Sequence, residues 1–313
     1  MRRLASFVPF AVLVVTACVA VGVAACSAAS SPGAELSPAA GGSAGPTGSP
    51  SPSPTASPSP SASASPATSG TPGTKPVVTP SHSPCAEGEV TVNQARVTRD
   101  GPNGSVRVTG SEGVALTFDD GPDPVNTPAM LQVLRACGVK ATFCLVGVNV
   151  VSHPDIVRMI VADGHTLCNH TWQHNTKLGS SSPEAIRQDL QRTNDAIHAI
   201  VPLVPVAYFR APGGAWTDKY VAVARELGMT SIDWDVDPWD WNFKVNGTGD
   251  AMTQHIVTHV KNHVRPGSII LSHDFAKPTT VEAYRRLMPW LTARYQLIAL
   301  PVPEDRRWRE PPI

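Results

Sequence analysis

Short apolar segments alternate with helical patterns from residue 113 to residue 300, and this alternation restricts the possible folds more than any other feature. Such alternation is typical of parallel βα units. Seven units predict a β/α barrel one unit short of eight, and an open doubly wound sheet is the alternative. One strand is predicted within residues 114–122, and six more at 140–146, 165–169, 206–209, 229–234, 268–271 and 296–300.

In either architecture, the loops that follow the carboxyl ends of the strands build the site. The first strand ends in Asp119 and Asp120, and an ionised carboxylate in an apolar interior needs a metal, a cation or hydrogen-bond donors. His170 and His174 follow the third strand. Two imidazoles four residues apart, together with one carboxylate, can form a facial triad for a divalent metal.

A second histidine series provides an internal comparison. His255, His259 and His263 also recur every four residues, on a predicted helix beside an apolar stripe. No acidic strand end accompanies them, so we interpret these three as the polar flank of a helix.

Three further strand ends carry residues suited to hydrolysis. Arg210 follows the fourth strand and could keep a neighbouring carboxylate ionised, while Gly213 allows a backbone amide to approach an oxyanion. The loop after the fifth strand is rich in carboxylates and indoles, which suits a sugar groove. His273 ends the sixth strand and could act as a general acid if a carboxylate such as Asp237 holds it protonated.

Five of these strand-end segments, taken in order, resemble the motifs of the polysaccharide deacetylases with a NodB homology domain, carbohydrate esterase family 4. The resemblance extends from about residue 113 to residue 300. It implies the family fold, a distorted (β/α)₇ barrel, in agreement with the strand count. The five segments are TFDDG at 117–121, HTWQH at 170–174, RAPG at 210–213, DPWDW at 237–241 and LSH at 271–273.

The resemblance also implies a role for each matching residue. Asp120, His170 and His174 would bind a divalent metal. The resemblance implies zinc, and cobalt or another divalent ion is also compatible. Asp119 would be the general base, held by Arg210. His273 would be the general acid, tuned by Asp237. The Gly213 amide would bind the oxyanion, and Trp241 and Leu271 would line the substrate groove and the acetyl pocket. Many family members carry a tyrosine where Gly213 stands, so one aromatic wall is missing here.

The function expected from the resemblance is metal-dependent removal of N-acetyl groups from N-acetylglucosamine in peptidoglycan or chitin-type oligomers. An O-acetyl esterase acting on acetylxylan is the nearest alternative. A non-catalytic carbohydrate-binding protein is a third possible function, and the presence of Asp119 and His273 argues against it. The 25 basic and 25 acidic side chains balance, which gives no support for a nucleic-acid partner. We expect a monomer.

The amino-terminal region predicts export. Residues 1–26 combine two arginines with a long apolar run, which is typical of a secretory signal, and a retained membrane anchor is the alternative. Residues 23–26 resemble a bacterial lipobox, with Cys26 preferred over Cys18 as the acylated residue. We therefore expect a secreted protein or a lipoprotein on the outer face of the cytoplasmic membrane.

The remainder divides into a linker and one domain. Residues 27–84 are rich in proline and serine and predict a disordered spacer. Residues 85–112 are an amino-terminal extension, and residues 113–313 form the deacetylase domain. Cys85, Cys137, Cys144 and Cys168 permit two disulfides in an exported chain, with Cys144 and Cys168 the preferred pair; free buried thiols are the competing interpretation.

Overall fold

Seven parallel strands, connected by helices, form a strongly curled sheet in the computed structural model, which describes Cys85 and residues 99–302. The first strand is the centre of the sheet, because it pairs with the second, sixth and seventh strands. The strands are β1 (Val114–Asp119), β2 (Thr142–Leu145), β3 (Thr166–Asn169), β4 (Val206–Phe209), β5 (Thr230–Ser231), β6 (Ile269–His273) and β7 (Leu297–Ile298).

The order of neighbouring strands is β5-β4-β3-β2-β1-β6, with β7 beside the start of β1. Isolated bridges join the chain after β5 to β6 and to the segment that precedes β1, where Val236 pairs with Ile270 and Val106 pairs with Ile232. These bridges bring the two sides of the sheet together. The distorted (β/α)₇ barrel expected from the sequence is therefore confirmed.

Eight helices accompany the strands in the described part of the chain. Six match the helical patterns of the sequence, and two short ones, α2 and α6, were not predicted. They are α1 (Asn126–Ala136), α2 (Gly147–Ser152), α3 (Pro154–Ala162), α4 (Pro183–Ile200), α5 (Asp218–Glu226), α6 (Phe243–Asn246), α7 (Gly249–His263) and α8 (Pro278–Thr292).

The core has two apolar layers, because successive side chains of β1 point to opposite faces of the sheet. Leu116 and Phe118 pack outward among the helices, where Phe118 contacts both Phe143 and Tyr284. Ala115 belongs to a smaller cluster inside the barrel. On this inward-facing side, Thr117 and Asp119 are polar and buried, so β1 carries its functional groups into the barrel interior.

Two disulfides are present, Cys85–Cys137 and Cys144–Cys168. Cys144 and Cys168 are opposite each other on β2 and β3, which agrees with the preferred pair. Cys137 directly follows α1, so the first bridge fixes Cys85 beside the end of that helix.

The predicted export signal, Cys18, Cys26 and the proline-rich linker lie outside the described residues. Within residues 99–302, none of the helices combines the length and the apolar character needed to span a bilayer. The proposed domain boundaries stay predictions.

Candidate active site

The predicted site residues, apart from the fully buried Arg210, line one cavity of about 350 Å³ at the carboxyl ends of the strands. This is the edge of the barrel where the site was expected. The lining side chains and backbone come from the loops after β1, β3, β4, β5 and β6. They belong to Asp119, Asp120, His170, His174, Ala211, Gly213, Gly214, Trp234, Asp237, Trp241, Leu271 and His273.

Asp120, His170 and His174 converge at this cavity. One carboxylate oxygen of Asp120 lies 3.5 Å from Nε2 of His170 and 3.3 Å from Nε2 of His174. Their three candidate ligand atoms all lie within 4.8 Å of one another. The segment between the histidines is a non-helical turn, with Thr171 and His174 at positive φ.

The donor set fits a divalent metal. Oδ1 of Asp120 is buried and has no hydrogen-bond partner within the described residues, so it has an unused acceptor. Nδ1 of His170 donates to the carbonyl of Arg210 at 2.8 Å, which leaves the Nε2 lone pair free to bind an ion. Burial raises the pKa of the Asp120 carboxyl, but His170, His273 and His174 together hold it well below its usual range. A carboxylate and two imidazoles suit zinc or a similar transition metal.

Asp119 is held by a fully buried arginine. Nη1 of Arg210 donates to Asp119 Oδ1 at 2.7 Å and to the hydroxyl of Thr117 at 2.8 Å. Nη2 donates to the carbonyl of Asp233 at 3.0 Å, so the guanidinium has a fixed orientation. The other oxygen of Asp119 lies 3.6 Å from His170 Nε2 and is directed toward the candidate metal ligands. A carboxylate held in this way is fixed next to the metal position.

His273 lines the cavity and forms a second ion pair with the buried Asp240. Nδ1 of His273 donates to Asp240 at 2.7 Å, and the His273 backbone amide donates to the same carboxylate at 2.8 Å. The hydroxyl of Thr280 donates to it as well. Burial lowers the pKa of His273, but the charge and hydrogen bond of Asp240 outweigh this effect and raise the pKa to about 9. The imidazole is therefore protonated at neutral pH and can donate a proton.

Proteins similar to this chain are found by sequence and by structure. A family model described as polysaccharide deacetylase matches residues 107–232. A chitooligosaccharide deacetylase of Sinorhizobium fredii is 39% identical over 198 residues, covering 59% of this chain and 88% of the relative. A peptidoglycan-N-acetylglucosamine deacetylase of Bacillus cereus is 34% identical over 184 residues, covering 57% and 81%. A family 4 carbohydrate esterase from Streptomyces lividans, solved with acetate, matches with a TM-score of 0.53 and 30% identity, covering 60% and 91%.

The chain belongs to the polysaccharide deacetylase family. This confirms the family expected from the five motifs and identifies the chain as a carbohydrate deacetylase. The remaining features show where this polysaccharide deacetylase agrees with the sequence-based assignments and where it departs from them.

The carboxylate that hydrogen-bonds His273 is Asp240, whereas from the sequence we expected a carboxylate such as Asp237 to hold this imidazole protonated. Asp237 lines the cavity, but its Oδ1 accepts the backbone amide of Trp239 at 2.7 Å. Burial and the charge of Asp240 raise the pKa of Asp237. Trp239 adopts a left-handed backbone conformation (φ 51°) between the two acids, and it is Asp240 that bonds the imidazole. The hydrogen-bond partner of His273 is therefore Asp240, and the tuning of His273 by Asp237 stays a prediction.

The other predicted substrate-binding residues lie at the cavity wall. Leu271 is buried, so it can contact a small group inside the cavity. Trp241 is 47% exposed, so it can contact a larger group at the cavity opening. Gly213 adopts φ 60°, a conformation that favours glycine. Trp234 also lines the cavity, and a Cβ on Gly214 would come within 2.9 Å of its ring. This indole packs on Gly214, the residue after Gly213, where many family members carry a tyrosine.

Backbone strain is concentrated around this cavity. Outside glycine, positive φ within the described residues occurs at Asn103 and at five positions in the site loops. Such conformations persist where surrounding contacts fix them and are frequent at functional sites. The five positions are Asp120, Thr171, His174, Trp239 and Ala276.

Sequence reasoning did not single out Asp274, which follows His273 directly. Its side chain is fully buried, Oδ2 accepts the hydroxyl of Thr127 at 2.5 Å, and Oδ1 has no partner in the described part of the chain. A Cβ on Gly121 would lie 2.6 Å from Oδ1, so the loop after Asp120 packs directly on this carboxyl. Burial raises the pKa of Asp274 to about 7.

The helix-borne histidines behave as the sequence predicts. His255, His259 and His263 lie along α7, with the last two rings stacked at 4.0 Å between centroids. Among the described residues, the group placed to hold a metal is the one at the strand ends, and these three do not form another.

Proposed function

We propose that this enzyme hydrolyses the N-acetyl groups of N-acetylglucosamine units in peptidoglycan or chitin-type oligomers, using a divalent metal, zinc in our proposal. The observation that supports this most strongly is the placement of a carboxylate–histidine triad, a fixed base and a protonated imidazole around one cavity. These are the groups that metal-assisted amide hydrolysis requires.

Asp120, His170 and His174 would hold the ion. A divalent cation bound there supplies a Lewis acid for the acetyl carbonyl and lowers the pKa of water. The contribution of the protein is a rigid donor set, because His170 is fixed by the Arg210 carbonyl and Asp120 by the strained turn after β1.

Asp119 would act as the general base. Its Oδ1 is bonded to Arg210, and Oδ2 is directed toward the metal ligands, so one oxygen is fixed and the other can accept a proton from the attacking water. The carbonyl carbon then becomes tetrahedral and its oxygen gains negative charge. The backbone amide of Gly213, which lines the cavity, would donate a hydrogen bond to that oxygen.

His273 would act as the general acid. An amide nitrogen leaves only after it gains a proton, and the Asp240 contact keeps His273 protonated at neutral pH. Proton donation from His273 breaks the carbon–nitrogen bond, and acetate and a free amine are released. Leu271, buried in the wall, would contact the acetyl methyl, while Trp241 would contact the sugar ring.

The substrate class rests on the relatives. Proteins that share 34–39% identity with this chain are named for chitooligosaccharide or peptidoglycan N-acetylglucosamine. Both kinds of glycan contain N-acetylglucosamine. The S. lividans relative is named an esterase, so acetylxylan is the substrate that competes with them.

We further propose that the enzyme acts outside the cytoplasm, exported by residues 1–26 and tethered through Cys26. Two disulfides in the described domain support an oxidising compartment. Substitution of Cys26→Ala is expected to shift the protein from the membrane fraction to the medium. Retention in the membrane fraction would favour Cys18 or an uncleaved anchor.

Acetate release tests the proposed reaction. The full chain is incubated with chitin oligomers, peptidoglycan and acetylxylan, with and without chelator, and acetate is quantified. We expect activity on the first two, lost on chelation and restored by zinc or cobalt. Asp119→Asn should reduce turnover by at least about 100-fold while the metal content stays the same. Activity on acetylxylan alone would identify an esterase, and robust activity of Asp119→Asn would remove the assigned base.

A further inference from the structure

The turn between the two site histidines is strained, and the position of His174 depends on this turn. Thr171 and His174 adopt φ of 66° and 55°, which non-glycine residues rarely adopt unless surrounding contacts fix them. The ring of His170 is held directly by the carbonyl of Arg210. Among the described residues, no hydrogen bond holds Nδ1 of His174, whose side chain is 37% exposed. The backbone of the turn must therefore place this imidazole.

The backbone of the turn is bonded on both sides of Trp172. The Trp172 amide donates to Oδ1 of Asp189 at 2.8 Å, and Asp189 lies half-buried in α4. The Trp172 carbonyl accepts from the amide of Val148 in α2 at 2.9 Å. The Thr171 amide donates to the side chain of Asn169 at 2.9 Å. Asp189 thus fixes the turn from a distant element of the sequence, through a hydrogen bond that its charge strengthens.

The indole of Trp172 is held as well. Cζ of Arg192 lies 3.6 Å from the ring centroid, close enough for a cation–π contact. The ring also packs on the backbone of α2, because a Cβ on Gly147 would come within 2.4 Å of its Cε3 atom. Arg192 follows Asp189 by three residues in α4, so the two side chains are neighbours on the helix surface. Together they tie the turn to α4.

We propose that Asp189 and Arg192, which we call the turn clamp, are positioning residues that hold His174 in place for the metal. The proposal rests on the proposed function, which assigns His174 as a ligand. In most metal sites a hydrogen bond to the second ring nitrogen orients the imidazole. The turn clamp acts through the main chain of the turn instead. Neither of its residues lines the cavity, so the clamp should affect metal affinity without altering substrate contacts.

Zinc affinity tests the turn clamp. The full chain and its variants are stripped of metal, and zinc dissociation constants are measured by competition with a chromogenic chelator. We expect Asp189→Ala to bind zinc about 10–100-fold more weakly, the loss typical of a removed ligand-orienting group. Asp189→Asn keeps an acceptor oxygen for the Trp172 amide and should stay within about twofold of the parent. Arg192→Ala should weaken binding by about three- to fivefold, the loss of one exposed cation–π contact.

Asp195→Ala is the matched control, because Asp195 is an exposed carboxylate of the same helix that bonds Gln191. Its zinc affinity should equal that of the parent. The absorption spectrum of the cobalt-loaded chain reports ligand geometry without turnover, and it should change in Asp189→Ala and not in Asp195→Ala. Melting temperatures of the metal-free chains separate an effect on the fold from an effect on the metal site.

Equal zinc affinity in the parent, Asp189→Ala and Arg192→Ala would overturn the turn clamp alone. A loss in Asp189→Asn as large as that in Asp189→Ala would also overturn it, because the acceptor oxygen would then have no role. If Asp189→Ala does not fold without metal, Arg192→Ala decides, and unchanged zinc affinity in that variant would overturn the proposal. A parent chain that binds no zinc would overturn the proposed metal site together with the clamp.

Discussion

Substitution of Asp240→Asn tests the pairing that keeps His273 protonated in the proposed mechanism. The substitution removes the negative charge 2.7 Å from Nδ1 while it keeps the shape of the side chain. Without that charge, the pKa of His273 should fall from about 9 toward the ordinary value of 6.5. An acid must be protonated to act, so activity is lost as pH rises through its pKa.

The magnitude follows from the two pKa values. At pH 8 a group with a pKa of 9 is about 90% protonated, and one with a pKa of 6.5 is about 3% protonated. We therefore expect kcat/KM of Asp240→Asn to fall about 30-fold at pH 8, and less than about twofold at pH 6 through this effect.

The assay is the pH profile of kcat/KM for acetate release. The basic limb of the profile should move to lower pH in Asp240→Asn, and should stay near its original position in Asp237→Asn, because Asp237 makes no hydrogen bond to His273 in the structure. Melting temperatures recorded at both pH values separate the kinetic effect from unfolding. A basic limb that moves in Asp237→Asn and not in Asp240→Asn would refute the pairing.

Three further outcomes follow from the buried charges and the disulfides. Arg210→Met should lower the free energy of unfolding by about 3–5 kcal/mol and abolish turnover, since it leaves Asp119 buried without its cation; unchanged denaturant midpoints would contradict this. Asp274→Asn should flatten the pH dependence of stability, because a carboxyl whose folded pKa is raised to about 7 destabilises the folded state increasingly between pH 4 and pH 7. The free energy of unfolding of Asp274→Asn minus that of the parent, measured by urea unfolding, should increase by about 2 kcal/mol from pH 5 to pH 7.5. A difference that stays constant over this pH range would contradict the prediction. Mass spectrometry with and without reductant should show Cys144 linked to Cys168, and alkylation of both thiols in the unreduced chain would exclude the bridge.

The fold and the candidate metal ligands could be predicted because each depends on a pattern that can be read along the sequence. Strand and helix periods alternate clearly between residues 113 and 300, and the carboxyl ends of parallel strands meet at one edge. Asp120 follows β1 and the two histidines follow β3, with β2 between them, so their convergence required only that the strands be parallel and end at the same edge of one sheet. The short strands β5 and β7 were predicted too long, since the chain after β5 forms isolated bridges with Val106 and Ile270 instead of a continuous ladder.

The partner of His273 could not be predicted because it depends on loop geometry. Asp237 and Asp240 belong to the same motif and have the same chemistry, and the left-handed residue between them was invisible in the sequence. A tryptophan at positive φ is unfavourable on its own and is stabilised by surrounding contacts such as those with Asn246 and His259. Asp274 was missed for a related reason, since its burial depends on Thr127 and Gly121, which are far away in the sequence.

The central claim is that Asp120, His170 and His174 bind one divalent ion together, and metal content tests it most directly. The full chain is purified, stripped with chelator, reloaded with zinc and analysed by mass spectrometry of the metal. We expect one tightly held ion per chain in the parent and in His263→Ala, a control histidine on α7, and less than one tenth of that in His174→Ala. Equal zinc in the parent and in His174→Ala would contradict the account.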